Sequence, residues 1–470
     1  METSVSSTPQ STGIAGSPPF LSKQATIAKP GFSRWMVPPA ALAVHLCIGQ
    51  AYAFSVFNGP LTKVIGITQS APGDWSLTTL GWIFSLAIVF LGLSAAFAGK
   101  WLEHVGPRRT MLTAACCFGG GFLVSALGVW LHQIVLLYLG YGVIGGIGLG
   151  LGYVSPVSTL IRWFPDRRGM ATGMAIMGFG GGAMIAAPLS VALMNHFKSA
   201  TSVGVAETFV VLGIAYFISM TIGAMAIRVP PADWKPAGWV PPDTSHKMIT
   251  RNHVHIDRAL TTPQFYLVWL VLFLNVTAGI GILGQASVMI QESFKNTVSA
   301  SAAAGFVGLL SLFNMGGRFV WASSSDKLGR KNTYYVFFAL GALLYYLVPS
   351  FAQSGNIALF VLSYCVILSM YGGGFSTVPA YLADLFGTAF VGGIHGRLLT
   401  AWAAAGVAGP VLVNYIRAYE VAHGVAKADA YTMTVHIMAV LLVVGFVCNL
   451  LVKRVDPAHH MSDDELAAER

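Results

Sequence analysis

One charged residue stands out by its surroundings. Arg318 lies inside a long apolar stretch, eight residues before Asp326. At 1.5 Å per helical residue that places it about 10 Å from the nearest polar loop. A buried ionisable group of this kind is costly and faces an interior or a cavity. Its guanidinium is a planar fork of donors that matches a carboxylate at two points. Asn314, four residues earlier, shares its helix face and can share a ligand with it. All 18 Asp and Glu fall in tails, loops or the ends of apolar stretches, so none neutralises Arg318 within its own stretch. The chemistry implied is recognition of an anion, not the making of bonds. Arg397, near the start of another apolar stretch, is a candidate second cation, although an interfacial anchor is its plainer role. His45 and His395 titrate near neutral pH and are candidate proton sites.

The rest of the chain says what must hold these residues. It has 470 residues, of which 55% are hydrophobic and only 10% charged, with a mean hydropathy of +0.67. Soluble domains carry about 25% charged residues, so a cytosolic enzyme or a nucleic-acid binder is excluded. Twelve apolar stretches are long enough for transmembrane helices. They run approximately over 36–57, 77–99, 110–131, 134–161, 170–195, 206–228, 264–290, 300–324, 333–353, 356–382, 391–417 and 431–453. They do not alternate in polarity, which rules out a β-barrel. The fold class expected is an all-α membrane protein of twelve helices. Residues 1–34, rich in Ser, Thr, Pro and Gly, read as a disordered tail and not as a cleaved signal peptide. Residues 35–228 form one six-helix half, 229–263 a Pro-rich polar loop, 264–453 the second half and 454–470 a charged tail. The five cysteines all lie in apolar runs, and no metal-ligand spacing occurs.

The net charge of +9 is a topology signal. Twenty of the 27 Lys and Arg fall on one set of loops and tails, and five on the other. The positive-inside rule then puts both termini in the cytoplasm, in a plasma or bacterial inner membrane.

The two halves echo each other. The loop after the second stretch contains Glu103, Gly106, Arg108 and Arg109; the loop after the eighth contains Asp326, Gly329, Arg330 and Lys331. Both resemble the G-x-L-x-D-R-x-G-R-R signature of the major facilitator superfamily, although Glu103 and His104 replace its acid and its first arginine in the first copy. A narrower resemblance, covering roughly residues 35–453, is to the oxalate:formate antiporter family, microbial relatives of the monocarboxylate transporters. It rests on Gly152–Thr159, on Trp163–Gly173 running on to Gly178–Ala183, on 262–279, and on Tyr381–Gly387.

The resemblance implies a secondary carrier that rocks two halves around a midplane site, with the loop acids and bases latching a cytoplasmic gate. It implies that Arg318 binds a substrate carboxylate and that Tyr52, Tyr153 and Tyr371, on stretches that line the cavity in that superfamily, pack on the substrate. In the family's oxalate carrier a lysine follows Thr-Ala in the eleventh stretch; here the string is Thr400-Ala401-Trp402. Losing that cation favours a monocarboxylate such as formate, lactate or pyruvate over oxalate, by exchange or proton symport, and makes Trp402 a candidate contact. The partners expected are a small carboxylate, a co-transported proton and membrane lipid, for a monomeric carrier with no cofactor. The rivals are an oxalate:formate exchanger and a non-transporting membrane sensor. Glycines of the fourth stretch lack a preceding strand and read as packing positions, not as a nucleotide loop.

Overall fold

A computed structural model describes residues 19–232, 234–240, 248–295 and 297–469. Its long helices are α1 (Arg34–Leu61), α2 (Leu77–Val105), α3 (Pro107–Trp130), α4 (Ile134–Trp163), α5 (Arg168–Phe197), α6 (Val205–Ala226), α7 (Pro263–Ser293), α8 (Ala300–Leu328), α9 (Arg330–Gln353), α10 (Ile357–Phe386), α11 (Val391–Ala422) and α12 (Thr432–Leu451). A bilayer leaves no water for unpaired backbone groups, so a spanning chain closes its hydrogen bonds within each helix. The outward faces carry exposed apolar side chains such as Phe97, Ile222, Tyr415 and Val440, as a lipid-facing surface requires.

Among the described residues, eleven helices are long and apolar enough to cross a membrane. The remaining long helix is α8, of 29 residues, whose positions 300, 301 and 304 lie outside the described side chains. It carries Asn314 and Arg318. Those two polar side chains turn inward, 2% and 0% exposed.

Helices α1 to α6 pack chiefly on one another, as do α7 to α12. The two sets meet where α5 crosses α8 and α10 and where α2 crosses α11. The α2–α11 crossing depends on missing side chains: a Cβ at Gly99 would lie 2.5 Å from the Gly393 Cα. Two helices depart from α geometry midway. α1 tightens to a 3-10 helix over Gly49–Phe57, which carries Tyr52, and α4 widens to a π-helix over Tyr138–Gly145. Such departures mark hinges and functional sites.

The tail reading needs correction. Residues 1–18 lie outside the described residues, but 19–33 are folded against one end of the bundle. The Ala28 amide donates to Val229 O at 2.9 Å, Lys23 Nζ to Glu103 O at 2.9 Å, and Arg108 Nη1 to Phe20 O at 2.7 Å. A Ser- and Pro-rich composition does not reveal that helix ends supply these amides and this ammonium with partners. The 229–263 loop docks at the same end through the Thr250 amide on Asp384 O (2.8 Å) and the Val254 amide on Phe386 O (2.9 Å). The final segment follows, with Val254 bridging His460 and Arg258 paired with Glu465 of the short helix Asp463–Ala468.

Candidate functional site

Arg318 sits where α8 passes α5 and α10. Its Nε donates to Asn314 Oδ1 at 3.2 Å and its Nη1 to Ile176 O of α5 at 3.3 Å. Its Nη2 is buried without a partner. None of the ion pairs found among the described residues includes it. Space for the guanidinium comes from two glycines. A Cβ at Gly180 would lie 3.0 Å from Arg318 Nε, and one at Gly372 would lie 2.6 Å from Asn314 Oδ1 and 3.1 Å from Arg318 Cγ.

Aromatic rings wall the site. The Arg318 guanidinium carbon lies 5.2 Å from the Phe375 centroid and 5.6 Å from that of Phe179. Trp402 packs on Phe375 (4.5 Å), Phe179 (5.2 Å) and Tyr153 (5.4 Å). Tyr52 and Tyr371 join α1 to α10 through their hydroxyls at 3.2 Å, and Tyr52 packs edge-on to Phe179. The structure thus brings together Arg318, Asn314, Tyr52, Tyr153, Tyr371 and Trp402 from five helices. Tyr153 Oη and Trp402 Nε1 are also buried without partners. These three donors, one of them cationic, lie in one aromatic box, with the hydroxyls of Tyr52 and Tyr153 turned toward the Arg318 guanidinium. Buried polar atoms are nearly always paired, so three such donors in one place mark this as the candidate binding site. Sequence reasoning missed Phe179 and Phe375 as walls, although both fall inside the Gly-rich strings at 178–182 and 372–375.

The other candidates are placed differently. Arg397 is not beside Arg318. Its Nη1 donates to Ile256 O at 2.7 Å and its Nη2 to Asp257 at 2.6 Å, which commits it to the 229–263 loop. The second-cation idea fails for that reason, and the anchoring role fits. His45 of α1 is buried between backbone carbonyls of α4 and α5. His395 of α11 is buried with Nε2 unpartnered, its ring 5.9 Å from that of Tyr153.

The gate candidates gather at the end where the α2–α3 and α8–α9 loops lie, henceforth the basic end. Asp326 accepts from the amides of Gly169 (2.8 Å) and Met170 (2.9 Å), so an acid on α8 caps the N-terminus of α5 across the interface. Arg330 donates to Asp326 at 2.5 Å and lies 3.3 Å from Asp384; Arg168 reaches Asp384 at 2.8 Å. Glu103 pairs with Arg162, which also donates to Ala389 O at 3.0 Å. Three gate assignments change. Arg108 holds Phe20 O, neither Arg108 nor Arg109 pairs with Glu103, and Lys331 donates to Leu450 O and Val452 O at the end of α12. Arg162, Arg168 and Asp384 had no gate role in the sequence reading because their partners lie far away along the chain.

Asp257 adds a further link. It meets Lys100 of α2 at 2.5 Å and Arg397 of α11 at 2.6 Å. Lys100 first, then Arg397, hold its carboxyl down at about 2. A vestibule of about 1260 Å³ lies among these groups, lined by Lys23, Arg162, Arg168, Asp257 and Asp384; neither Arg318 nor Trp402 lines it.

A bundle of apolar helices in two sets of six, closed at one end by paired acids and bases around a buried arginine, is the architecture of a membrane carrier. The chain belongs to the Major Facilitator Superfamily, whose family model matches residues 31–410. It is a multi-pass membrane protein of a transporter family, not of an enzyme family. It is 27% identical over 385 residues to the oxalate:formate antiporter of Oxalobacter formigenes, covering 80% of this chain and 83% of the relative. It is 26% identical over 381 residues to apicoplast pyruvate carrier 1 of Toxoplasma gondii, covering 70% and 68%. The solved fucose:proton symporter of E. coli superposes with a TM-score of 0.63 at 13% identity, over 89% of this chain and 99% of that one; this likeness concerns the fold.

Proposed function

We propose that the protein is a carrier of small monocarboxylate anions, such as formate, lactate or pyruvate. One observation supports this above others: the donors Arg318 Nη2, Tyr153 Oη and Trp402 Nε1 lie in one buried aromatic box. A carboxylate offers the guanidinium two acceptor oxygens and neutralises its charge. Arg397 is spent on Asp257, so the box holds one cation, which suits one carboxylate better than two. The names of two relatives, an oxalate:formate antiporter and a pyruvate carrier, support the same class.

Transport follows from alternating access. Twelve spans, with both termini cytoplasmic, form halves 35–228 and 264–453. The basic end faces the cytoplasm and is shut in this state, with Glu103, Asp326 and Asp384 latched. Anion binding neutralises Arg318 and frees it from Ile176 O, the N-half carbonyl that tethers it. Loss of that tether lets the α5–α8 contact loosen and the latch open.

The test is counterflow of radiolabelled formate, lactate, pyruvate and oxalate in proteoliposomes. Exchange of a monocarboxylate supports the reading. Exchange of oxalate alone favours the second reading, an oxalate:formate exchanger, to which the first relative points. No movement of any acid removes the anion-carrier reading.

A further inference from the structure

The loop between the halves carries an apolar side chain into the basic end. Ile256 opens the single turn Ile256–Ala259 and is 2% exposed. Its side chain occupies a niche that only glycine leaves open. A Cβ at Gly393 of α11 would collide with Ile256 Cδ1 and stand 2.7 Å from its Cγ1. Gly393 is also the residue against which Gly99 of α2 crosses. Ile256 therefore sits where the two halves meet. Polar ties fix it from both sides. Arg397 of α11 donates to Ile256 O at 2.7 Å, and Asp257 meets Arg397 at 2.6 Å and Lys100 of α2 at 2.5 Å.

The loop residues 250–257 ride with the second half. The Thr250 and Val254 amides donate to Asp384 O and Phe386 O of α10, and the Ala389 amide donates to His253 Nδ1 at 3.4 Å. Gly387 has a φ of +80°, and a side chain there would collide with Asn252 O. Toward the first half the same stretch presents Ile256 beside the α2 crossing and Asp257 to Lys100.

The C-terminal segment backs this stretch. The Met461 amide donates to His253 O at 2.8 Å, and Asn252 Nδ2 donates to His460 Nδ1 at 3.0 Å. Arg258 forks onto Glu465 at 2.5 and 3.1 Å. Glu465 is itself oriented, because Ser462 and Glu465 cap each other's amides at the head of Asp463–Ala468.

We propose that Ile256 is a positioning residue of the gate. It acts as a bolt carried by the second half, seated between α2 and α11 while the basic end is shut, and the C-terminal segment holds it there. This rests on the alternating access proposed above and not on the identity of the substrate. Parting α2 from α11 uncovers Ile256 to water and separates Asp257 from Lys100, so the seated bolt favours the shut state. Loosening the C-terminal segment unseats it and shifts the resting state toward an open basic end.

Two reporter cysteines, placed in separate full-length proteins, read the two ends. Ser158 of α4 is 6% exposed and lies against Gly392 of α11, so S158C reacts with a maleimide when the basic end opens. Ser55 is exposed on α1, one 3-10 turn beyond Tyr52, so S55C loses reactivity when the opposite end closes. Labelling is done without substrate, with the native cysteines alone as the baseline. Ile256→Ala should raise S158C labelling about tenfold and lower S55C labelling in step. Arg258→Glu leaves the niche intact, which covers the case where I256A does not fold. It should raise S158C labelling a few-fold, and adding Glu465→Arg should reverse that rise. Unchanged S158C labelling in folded I256A and R258E overturns the proposal. A rise in S158C without a fall in S55C also overturns it, since that is local loosening and not gating. An R258E effect that Glu465→Arg does not reverse removes the C-terminal segment's part. Absence of counterflow for every acid removes the anion reading and leaves these labelling results, and the bolt, as they stand.

Discussion

The basic end and the centre of this bundle use charge in opposite ways. At the basic end, acids and bases are matched: Asp326 with Arg330 and two amides, Asp384 with Arg168, Glu103 with Arg162, and Asp257 with Lys100 and Arg397. At the centre stands Arg318, whose partners are one amide oxygen and one backbone carbonyl, with Nη2 left over. Matched charges need nothing from outside and tie packed elements to one another. An unmatched buried charge is costly, and the cost is tolerated where a ligand supplies the counter-charge.

Removing the central charge should have the largest effect. Arg318→Ala is expected to lower counterflow about a hundredfold or more, because two charge-assisted bonds contribute about 1.5–3 kcal/mol each and about 1.4 kcal/mol is tenfold. Arg318→Lys keeps the charge but loses the fork, so it should recover only part of the affinity. If R318K matched the wild type, a point charge and not two-point geometry would define the site.

The spare neutral donors come next. Tyr153→Phe and Trp402→Phe leave aromatic walls but remove one donor each. Each should raise the substrate Kd about fivefold, in line with about 1 kcal/mol per neutral hydrogen bond, as read by competition in counterflow. No change in either would mean that the orphaned atoms face water and not substrate.

The latch should respond unequally in its two copies. Asp326 caps a helix of the other half, whereas Glu103 is held by Arg162 and keeps its Oε1 unpartnered. Asp326→Asn is expected to shift the resting state toward an open basic end about tenfold, read as labelling of a reporter cysteine placed at Ala389. Glu103→Gln should shift it only a few-fold. Equal shifts would remove the asymmetry between the copies.

The smallest effect belongs to Asp257. Its carboxyl lies at about 2 in the folded chain, below the usual value of about 3.9. A depressed carboxyl stabilises fully above the unfolded value and is lost as pH falls through the folded one. The window is therefore about pH 4 down to pH 2. The side chain is half exposed, so the contribution is under about 1 kcal/mol. Asp257→Asn should lower the melting temperature slightly at neutral pH, where the contribution is fully present, and flatten its acid dependence in that window.

What the sequence made legible divides along the same line. Arg318 and Asn314 were visible because a charge in an apolar run and a four-residue spacing are local signals. The helices were visible for the same reason. The latch was visible as two acids in matching loops, but not as a set of pairs. Arg168 meets Asp384 from 216 positions away, and no local pattern encodes that. The folded stretch 19–33 was missed because its anchors are backbone amides and one lysine, which composition does not distinguish from a solvated tail. The aromatic box was half legible: tyrosines on three helices were, while Phe179 and Phe375 looked like ordinary core.

The central claim is that Arg318 binds a carboxylate through its charge. The most direct measurement is calorimetric binding of lactate and of its neutral amide, lactamide, and of formate and formamide, to the purified wild type and to R318A. Binding of an acid but not of its amide by the wild type, with neither bound by a folded R318A, is the result expected. Equal binding of acid and amide, or acid binding undiminished in R318A, would contradict the claim.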